Sequence, residues 1–308
     1  MFATLYLIST RVTFYLLYSS DISLGFFLFY KKRRIIIAMT THLGTVESTL
    51  FVPMLGRIYA SEHFPSILYD KTALTLKSQL PAEVLTNHTQ TQYTYLASAV
   101  RSANIDRHIQ DFLSRHPDGV IVQLGCGLET TFNRNDNGRT CWYGVDLPEV
   151  IEYRKTLLSE SNREKLLATD AFSKQWLRQV REEVGDVPLL ITASGLFYYF
   201  EQKQVLGLLR MLGSYGTIEV VFDTVNQRGL RLMRRKWMKQ VGHADAQMYF
   251  CVDSAKELAS NIANNVQVLA DKPFYCYIDK KGLKLSTKFN MAMSDRLRMV
   301  KMIHLRYR

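Results

Sequence analysis

Apolar residues recur at two different spacings along the chain, and the spacing changes near residue 117. Residues 45–80 and 89–116 place apolar side chains three and four positions apart, which predicts amphipathic helices. The Pro-Asp-Gly sequence at 117–119 then interrupts the pattern, because proline and glycine favour turns. A continuous apolar run at 120–122 follows, and it predicts a buried strand.

Beyond this point short apolar runs alternate with helical segments. The further predicted strands are 141–145, 188–192, 217–222, 266–269 and 274–278. The predicted helices between the earlier strands are 147–161, 173–184 and 201–213. Such alternation is typical of an α/β fold with a mainly parallel sheet, helices on both faces and, here, a helical N-terminal cap. The last two strands are close in sequence and predict an antiparallel terminal hairpin.

The composition fits a folded chain in a reducing compartment. Of the 308 residues, 47% are hydrophobic and 22% are charged, which excludes general disorder. The four cysteines form no CxxC pair, so they predict neither a disulfide scaffold nor a zinc site. We therefore expect a cytoplasmic protein without a metal ion.

The net charge of +11 at pH 7 is unevenly distributed. Residues 1–38 contribute part of it, and further positive charge is concentrated at 228–239 and 296–308. Basic clusters indicate nucleic acid or an anionic membrane as partners, but they also occur as solvated helix faces. We favour the solvated face, because most charge runs are surface features.

Residues 1–38 differ in character from the rest of the chain. An aromatic-rich apolar run at 12–30 precedes a Lys-Lys-Arg-Arg sequence, and Asp21 weakens its fit to a membrane span. Charges that follow an apolar run do not match a cleavable signal peptide. We interpret 1–38 as an artefactual upstream extension or, alternatively, a membrane anchor, and expect 39–308 to form a single domain.

The first strand leads into a glycine pair, Gly125 and Gly127, in the sequence VIVQLGCGLETT. Glycines allow a tight turn and the close approach of a ligand, and this crossover of a doubly wound sheet lies where ligands bind. A dinucleotide site would require a third glycine at position 130, where this chain has Thr130. Two glycines suffice for the amino-acid and ribose parts of S-adenosylmethionine.

Polar residues follow the next strands at the same edge of the predicted sheet. Asp146 ends the second strand, where an acidic residue accepts hydrogen bonds from ribose hydroxyls, although it also suits a helix N-cap. Asp170 ends the next short run and is either an acceptor for the adenine amino group or the N-cap of the following helix. Ser194 and Gly195 follow the fourth strand and are expected at the floor of the same crevice.

The order of these motifs resembles the leucine carboxyl methyltransferase family, which includes O-methyltransferases of the tetracenomycin polyketide type. The similar segments are 49–61, 99–113, 122–134, 144–158, 168–172 and 194–200. The stretch 122–158 is the most specific, because LETTFNR and DLPEVIEYRK go beyond a generic methyltransferase. The resemblance implies a class I, Rossmann-like fold, S-adenosylmethionine as the cofactor, and methylation of carboxylates or hydroxyls.

The resemblance also assigns cofactor contacts to five residues. It implies that Arg101 binds the carboxylate of the methionine moiety and that Gly125 lies against its amino-acid part. In this assignment Asp146 binds the ribose hydroxyls, and Asp170 and Ala171 lie beside the adenine.

Position 194 departs from the family pattern. The family often has EGVLMYL where this chain has SGLFYYF, so Ser194 replaces a glutamate. The change removes a partner of the cofactor's ammonium group, and the Ser194 hydroxyl or nearby carbonyls are the remaining acceptors.

Arg101 is a candidate on physical grounds as well. It lies beside the apolar stripe of the predicted helix 89–116, where an arginine is costly unless it meets an anion. An ion pair with Asp106 or Glu129 is the alternative to cofactor binding. For Arg57 we favour a structural role over anion binding.

The acceptor site is less well defined by the sequence. A carboxylate acceptor needs no general base because it is ionised at pH 7, whereas a phenol would benefit from one. No base motif is evident, so no catalytic residue is assigned. We expect His243 and Tyr249 to be lid or core residues near the acceptor, and the basic segment 228–239 to form a lid helix.

Three functions are compatible with these features. The favoured one is an S-adenosylmethionine-dependent O-methyltransferase acting on a polyketide-like small molecule or a peptide terminus. The alternatives are a nucleic-acid methyltransferase, suggested by the charge, and a non-catalytic cofactor-binding protein, suggested by Ser194. We expect no nucleic-acid partner and no membrane partner unless 1–38 is an anchor, and the sequence indicates neither the acceptor nor the oligomeric state.

Overall fold

The computed structural model describes residues 50–86, 90–241 and 248–307, with the backbone alone for residue 86 and for 236–241. These residues lie in one compact unit, Thr45–Arg308. Both interpretations of residues 1–38 concern a segment outside the described ranges and stay predictions. Within the described ranges no helix is both long and apolar enough to cross a membrane.

The described strands form one sheet in the order β3-β2-β1-β4-β5-β7-β6. The strands are β1 (Val120–Leu124), β2 (Trp142–Asp146), β3 (Glu164–Ala168), β4 (Leu189–Ala193), β5 (Ile218–Val225), β6 (Val266–Pro273) and β7 (Val300–Tyr307). The first five strands are parallel, because a helix crosses back between each strand and the next. β7 pairs antiparallel with both β5 and β6. The α/β fold with a mainly parallel sheet is therefore confirmed.

Helices pack on both faces of this sheet. Before β1 they are α1 (50–63), α2 (Lys71–Leu76), α3 (Ala82–Thr86) and α4 (Gln92–Arg115). After β1 they are α5 (Thr131–Asn135), α6 (Pro148–Leu157), α7 (Gln175–Val184), α8 (Gln202–Leu212), α9 (Gln227–Val241), α10 (Ala255–Ile262) and α11 (Leu285–Arg296). Short 3₁₀ turns lie at Lys77–Gln79 and Phe197–Tyr199.

The two faces of the sheet bury separate hydrophobic clusters. Side chains along β1 alternate between them, so that Val120 and Val122 pack on one face and Ile121 on the other. The first cluster is covered by α7, α8 and α10, and the second by α4 and α11.

The segment 45–80, for which helical structure was predicted, does not form one continuous helix. The described part is broken after residue 63, and a new helix starts at Lys71. Asp70 ends the break as an N-cap, since its carboxylate accepts the Ala73 N–H at 2.8 Å. Both helices bury apolar residues, among them Ile58 of α1 and Leu76 of α2.

The two terminal strands of the sheet, β6 and β7, pair antiparallel, but they do not form the predicted hairpin of 266–269 with 274–278. Residues 274–277 form turns, and β6 pairs with β7 after the chain has passed through α11. The basic run 296–308 was interpreted as a solvated helix face, and this is also wrong. Within β7 the Lys301 side chain is buried and donates to the Asp253 carbonyl at 2.9 Å.

The charged residues of β7 are tolerated because β5 supplies a counter-charge. Glu219 is buried and receives hydrogen bonds from Arg306 and Arg115, both at 2.8 Å, and lies 2.8 Å from His304 Nε2. Burial alone would raise the pKa of Glu219, but its hydrogen bonds to His304 and the two arginines hold that pKa well below its usual range. The charges thus pair within the fold.

Candidate active site

One glycine and three polar residues lie side by side where the central strands reach their carboxyl ends. Leu124 of β1 pairs with Val145 of β2 and with Ala193 of β4, and Ala193 pairs with Phe222 of β5. The residues that follow these four positions therefore stand side by side at the same level of the sheet. They are Gly125, Asp146, Ser194 and Asp223.

The glycine loop after β1 adopts the backbone conformation that its sequence predicts. Gly125 and Gly127 have φ angles of +64° and +44°, which L-residues with side chains rarely adopt. A Cβ atom at Gly125 would lie 2.9 Å from Leu196 Cδ1. The positive φ therefore favours glycine here, and a side chain would also require Leu196 to move.

Asp146 fixes this loop from the end of β2. Its Oδ2 accepts the Gly127 N–H at 2.7 Å, and its Oδ1 accepts the Leu147 N–H at 2.8 Å. Burial raises the pKa of Asp146, and the hydrogen bonds from Gly127 and Leu147 partly oppose the rise. The N-cap of α6 is Leu147, so the alternative role of Asp146 as that cap is wrong.

Arg154 supports the same loop from the other side. Its side chain is 1% exposed, and Nη1 donates to the carbonyls of Gly127 at 3.0 Å and of Glu129 at 2.6 Å. Nη2 donates to Glu164 Oε1 of β3 at 2.8 Å. Sequence reasoning missed Arg154, although a single arginine on the apolar face of VIEYRKTLL was a visible signal.

Arg101 reaches the same edge from α4, and its anionic partner is Asp223. Arg101 Nε donates to Asp223 Oδ2 at 2.7 Å. Burial alone would lower the pKa of Arg101, but the Asp223 carboxylate raises it, so the guanidinium stays charged. The ion pair expected as an alternative, with Asp106 or Glu129, is not the one that forms, because those carboxylates bind Arg134 and Arg57.

Asp223 was not among the predicted site residues. It is the last acidic residue of the buried strand sequence IEVVFDTV, and its side chain has no exposed surface. A buried carboxylate must accept hydrogen bonds, so an acidic residue in such a strand indicates that donors lie close to it in the fold. The donors are distant in sequence, so the pattern alone did not identify them.

Asp170 and Ala171 lie beyond the end of β3. Asp170 is exposed, and its Oδ1 accepts the Phe172 N–H at 2.9 Å within a tight turn. The N-cap of α7 is Lys174, so the alternative role of Asp170 as that cap is wrong. Ala171 is buried, and its carbonyl accepts from Trp176 Nε1 at 2.9 Å.

Ser194 and Gly195 follow β4 and are both partly buried. Gly195 has a φ of +69°, and a Cβ atom there would lie 3.1 Å from Arg101 Nη1. The Arg101 guanidinium therefore lies directly against the backbone that carries Ser194.

The predicted lid segment 228–239 lies within α9, whose Leu230 packs with Tyr198 and Met248. The Tyr249 N–H donates to the Tyr198 carbonyl at 2.7 Å, which joins the segment after α9 to the 3₁₀ turn following β4. His243 and the side chains of Trp237 and Met238 lie outside the described residues.

Among the described residues no group of three His, Cys, Asp or Glu side chains is arranged to hold a metal ion.

An open, mainly parallel sheet with a glycine loop after β1 and a carboxylate at the end of β2 is the architecture of a class I methyltransferase. Residues 53–213 match the family model for leucine carboxyl methyltransferase, and the chain belongs to this family. It is a methyltransferase whose methyl donor is S-adenosylmethionine.

Two further similarities support the family and the fold. The tetracenomycin polyketide synthesis O-methyltransferase TcmP of Streptomyces glaucescens is 28% identical over 197 residues, which are 63% of this chain and 72% of the relative. The crystal structure of a putative methyltransferase from Thermobifida fusca YX superposes with a TM-score of 0.51. That structure is 13% identical and covers 82% of this chain and 94% of its own, so it supports the fold alone.

Replacing Asp146 by alanine is expected to weaken binding of S-adenosylhomocysteine by about 10- to 150-fold, the range for losing hydrogen bonds to a charged group. The affinity should fall because the carboxylate orders Gly127 of the glycine loop. Calorimetric titration measures the affinity, and thermal unfolding measures the fold. Glu149→Ala, an exposed acidic residue of α6, is the control. An unchanged affinity with a large fall in melting temperature would identify Asp146 as purely structural.

Proposed function

We propose that this methyltransferase transfers a methyl group to an oxygen atom, either a carboxylate or a hydroxyl, of a small molecule or a peptide terminus. The observation that carries the proposal is the alignment of Arg101, the glycine loop and Asp146 along one sheet edge. The 28% identity to an enzyme named an O-methyltransferase supports oxygen as the acceptor atom. The proposal includes a cytoplasmic location.

The residues at this edge fit the donor. Each Asp146 oxygen accepts one backbone N–H, and a carboxylate has about four lone-pair sites, so acceptor capacity is left for ribose hydroxyls. Arg101 commits Nε to Asp223 and is 22% exposed, which leaves its terminal nitrogens able to bind a carboxylate. Gly125 and Gly127 allow a ligand close to the backbone.

The remaining assignments follow the order of the strands. Asp170 and Ala171, beyond β3, would border the adenine. Ser194, beyond β4, lies next to Gly195 and Arg101, so its hydroxyl is the proposed acceptor for the ammonium group. The bound donor supplies an electrophilic methyl group on a sulfonium. The chain contributes orientation and effective concentration, worth up to about 7–11 kcal/mol of the barrier.

The tyrosines beside Arg101 favour an acceptor that needs no general base. Burial raises the pKa of Tyr198 and of Tyr199, and the Asp223 carboxylate adds to the rise, while the Arg101 guanidinium partly opposes it in both. Their hydroxyls therefore keep their protons at neutral pH. A carboxylate acceptor is already ionised there, whereas a phenol with a pKa near 10 is not. We therefore place a carboxylate ahead of a hydroxyl.

The nucleic-acid alternative loses part of its support. Much of it rested on basic clusters, and Arg306 and Lys301 of the C-terminal cluster pair with Glu219 and Asp271 inside the fold.

The experiment that tests the function is a screen of carboxylic acids, phenols and peptide termini with a labelled methyl donor. The product of a carboxylate acceptor is a methyl ester, which mild alkali hydrolyses to labelled methanol. The product of a hydroxyl acceptor is an ether, which resists this treatment. Label found on nitrogen, or in RNA but in none of the small acceptors, would contradict the proposal.

The pH dependence of the rate is expected to separate the two acceptor classes. With a carboxylate acceptor the rate at saturating donor should be nearly constant from pH 6 to 9, since the acceptor ionises near pH 4. With a phenol the rate should rise about tenfold per pH unit until the acceptor ionises. A steep rise with an acceptor that yields an alkali-labile product would contradict the expected mechanism.

A further inference from the structure

The carboxylate of Asp223 collects three hydrogen bonds from three different elements. Oδ2 accepts from Arg101 Nε of α4 at 2.7 Å and from the Tyr198 hydroxyl at 2.8 Å. Oδ1 accepts the Gly195 N–H at 2.7 Å. Asp223 itself has no exposed side-chain surface. It therefore organises groups around it and does not itself face the crevice.

This arrangement fixes the direction of the Arg101 guanidinium. The guanidinium is planar, so a hydrogen bond at Nε determines where both terminal nitrogens point. Nη1 lies close to the Gly195 backbone, only 3.1 Å from where a Cβ atom would be. The same carboxylate holds the N–H of Gly195, so one group sets both the arginine and the loop beside it.

We infer that Asp223 is the positioning residue that aims Arg101 at the carboxylate of the donor's amino-acid part, and that it shapes the Ser194–Gly195 turn beside it. The inference rests on the proposed function, in which Arg101 binds that carboxylate. Asp223 acts through Arg101 and Gly195 and touches no part of the donor.

Because Asp223 is negatively charged, a positioning role and a purely electrostatic role predict opposite changes in donor affinity when it is neutralised. A negative charge beside Arg101 weakens the attraction between Arg101 and another carboxylate, so charge alone predicts tighter binding when Asp223 is neutralised. Positioning predicts the opposite, because a guanidinium without its buried partner loses its fixed orientation. The sign of the change in affinity therefore distinguishes the two.

The test compares Asp223→Asn with the parent by calorimetric titration at matched salt, using two ligands. S-adenosylhomocysteine carries the amino-acid part, and 5′-methylthioadenosine lacks it. Glu219→Gln is the matched control, because Glu219 is a buried carboxylate of the same strand that pairs with Arg115 at 2.8 Å. Thermal unfolding of each variant reports the fold independently of binding.

The expected result is selective. For Asp223→Asn the dissociation constant of S-adenosylhomocysteine should rise about 10- to 150-fold, while that of 5′-methylthioadenosine changes less than about twofold. Glu219→Gln should leave the ratio of the two constants unchanged. In an Arg101→Ala background, Asp223→Asn should cause a smaller selective loss than in the parent, because only the Ser194–Gly195 turn then still depends on Asp223.

Other results would overturn the inference. Equal weakening of both ligands would make Asp223 a general structural residue, and unchanged or tighter S-adenosylhomocysteine binding would make it a charge partner only. A parent protein that binds neither ligand would overturn the proposed function as well. If Asp223→Asn does not fold, Tyr198→Phe removes one of the three donors, and it should still weaken S-adenosylhomocysteine selectively.

Discussion

Replacing Asp70 by asparagine is expected to destabilise the fold by about 3–5 kcal/mol, the range for removing one partner of a buried ion pair. Asp70 is fully buried and pairs with Arg57 at 3.1 Å and with Arg134 at 2.8 Å. Its Oδ2 also accepts from the Thr130 hydroxyl. Neutralising this carboxylate leaves two buried guanidinium groups with less counter-charge. Urea unfolding measures the loss.

The control for this prediction is Asp118→Asn. Asp118 pairs with Arg139 at 2.6 Å on the surface, and exposed ion pairs contribute about 0.2–1 kcal/mol. Burial alone would raise the pKa of Asp70, but Arg134 and Arg57 lower it below its usual value. Its stabilising effect is therefore complete above the unfolded pKa and should disappear as the pH falls below about 4. Equal unfolding midpoints for the two variants at pH 7 would contradict the prediction.

Arg101→Ala is expected to lower the affinity for S-adenosylhomocysteine by about 2–4 kcal/mol, because the donor's carboxylate loses a charge-assisted partner at a partly buried position. Arg101→Lys should recover only part of the loss, since an ammonium does not reproduce the planar fork. Calorimetry at matched salt gives both values. Thermal unfolding of Arg101→Ala also tests whether the unpaired Asp223 destabilises the fold.

The control for Arg101 is Arg107→Ala. Arg107 is an exposed arginine of the same helix, 4.3 Å from the centre of the Tyr277 ring. Its loss should leave the affinity unchanged. Equal affinities for Arg101→Ala and the parent would mean that the donor's carboxylate is bound elsewhere. Arg57, the other arginine considered, is fully buried among Asp70, Glu129 and the Leu128 carbonyl, in agreement with a structural role.

The positions at the sheet edge were predictable because they follow from local periodicity. A strand, a glycine pair and the next strand's terminal acid set Gly125 beside Asp146 in any parallel sheet of this order. The residues that hold the loop were not predictable in the same way. Arg154 and Asp223 act on groups 25 or more residues away, and such pairings depend on how helices pack.

The last strand was missed for a related reason. The sequence of β7 carries Lys301, His304 and Arg306, which look like a surface run when counted along the chain. In the fold the buried Glu219 accepts from two of them, so the positive charges are compatible with an interior strand. Whether a run of basic residues is exposed or buried depends on where its acidic partners lie in the fold, which the order of residues along the chain does not show.

Helix α4 is attached to β5 at two points, Arg101 on Asp223 and Arg115 on Glu219. An apolar stripe by itself permits a helix to slide by one turn, since hydrophobic contacts are non-directional. Sliding α4 by a turn, about 5.4 Å, would leave two buried carboxylates on β5 without their guanidinium partners at once. The two ion pairs therefore allow only one register of α4 on β5. That register is what places Arg101 beside Asp223 at the carboxyl ends of the parallel strands.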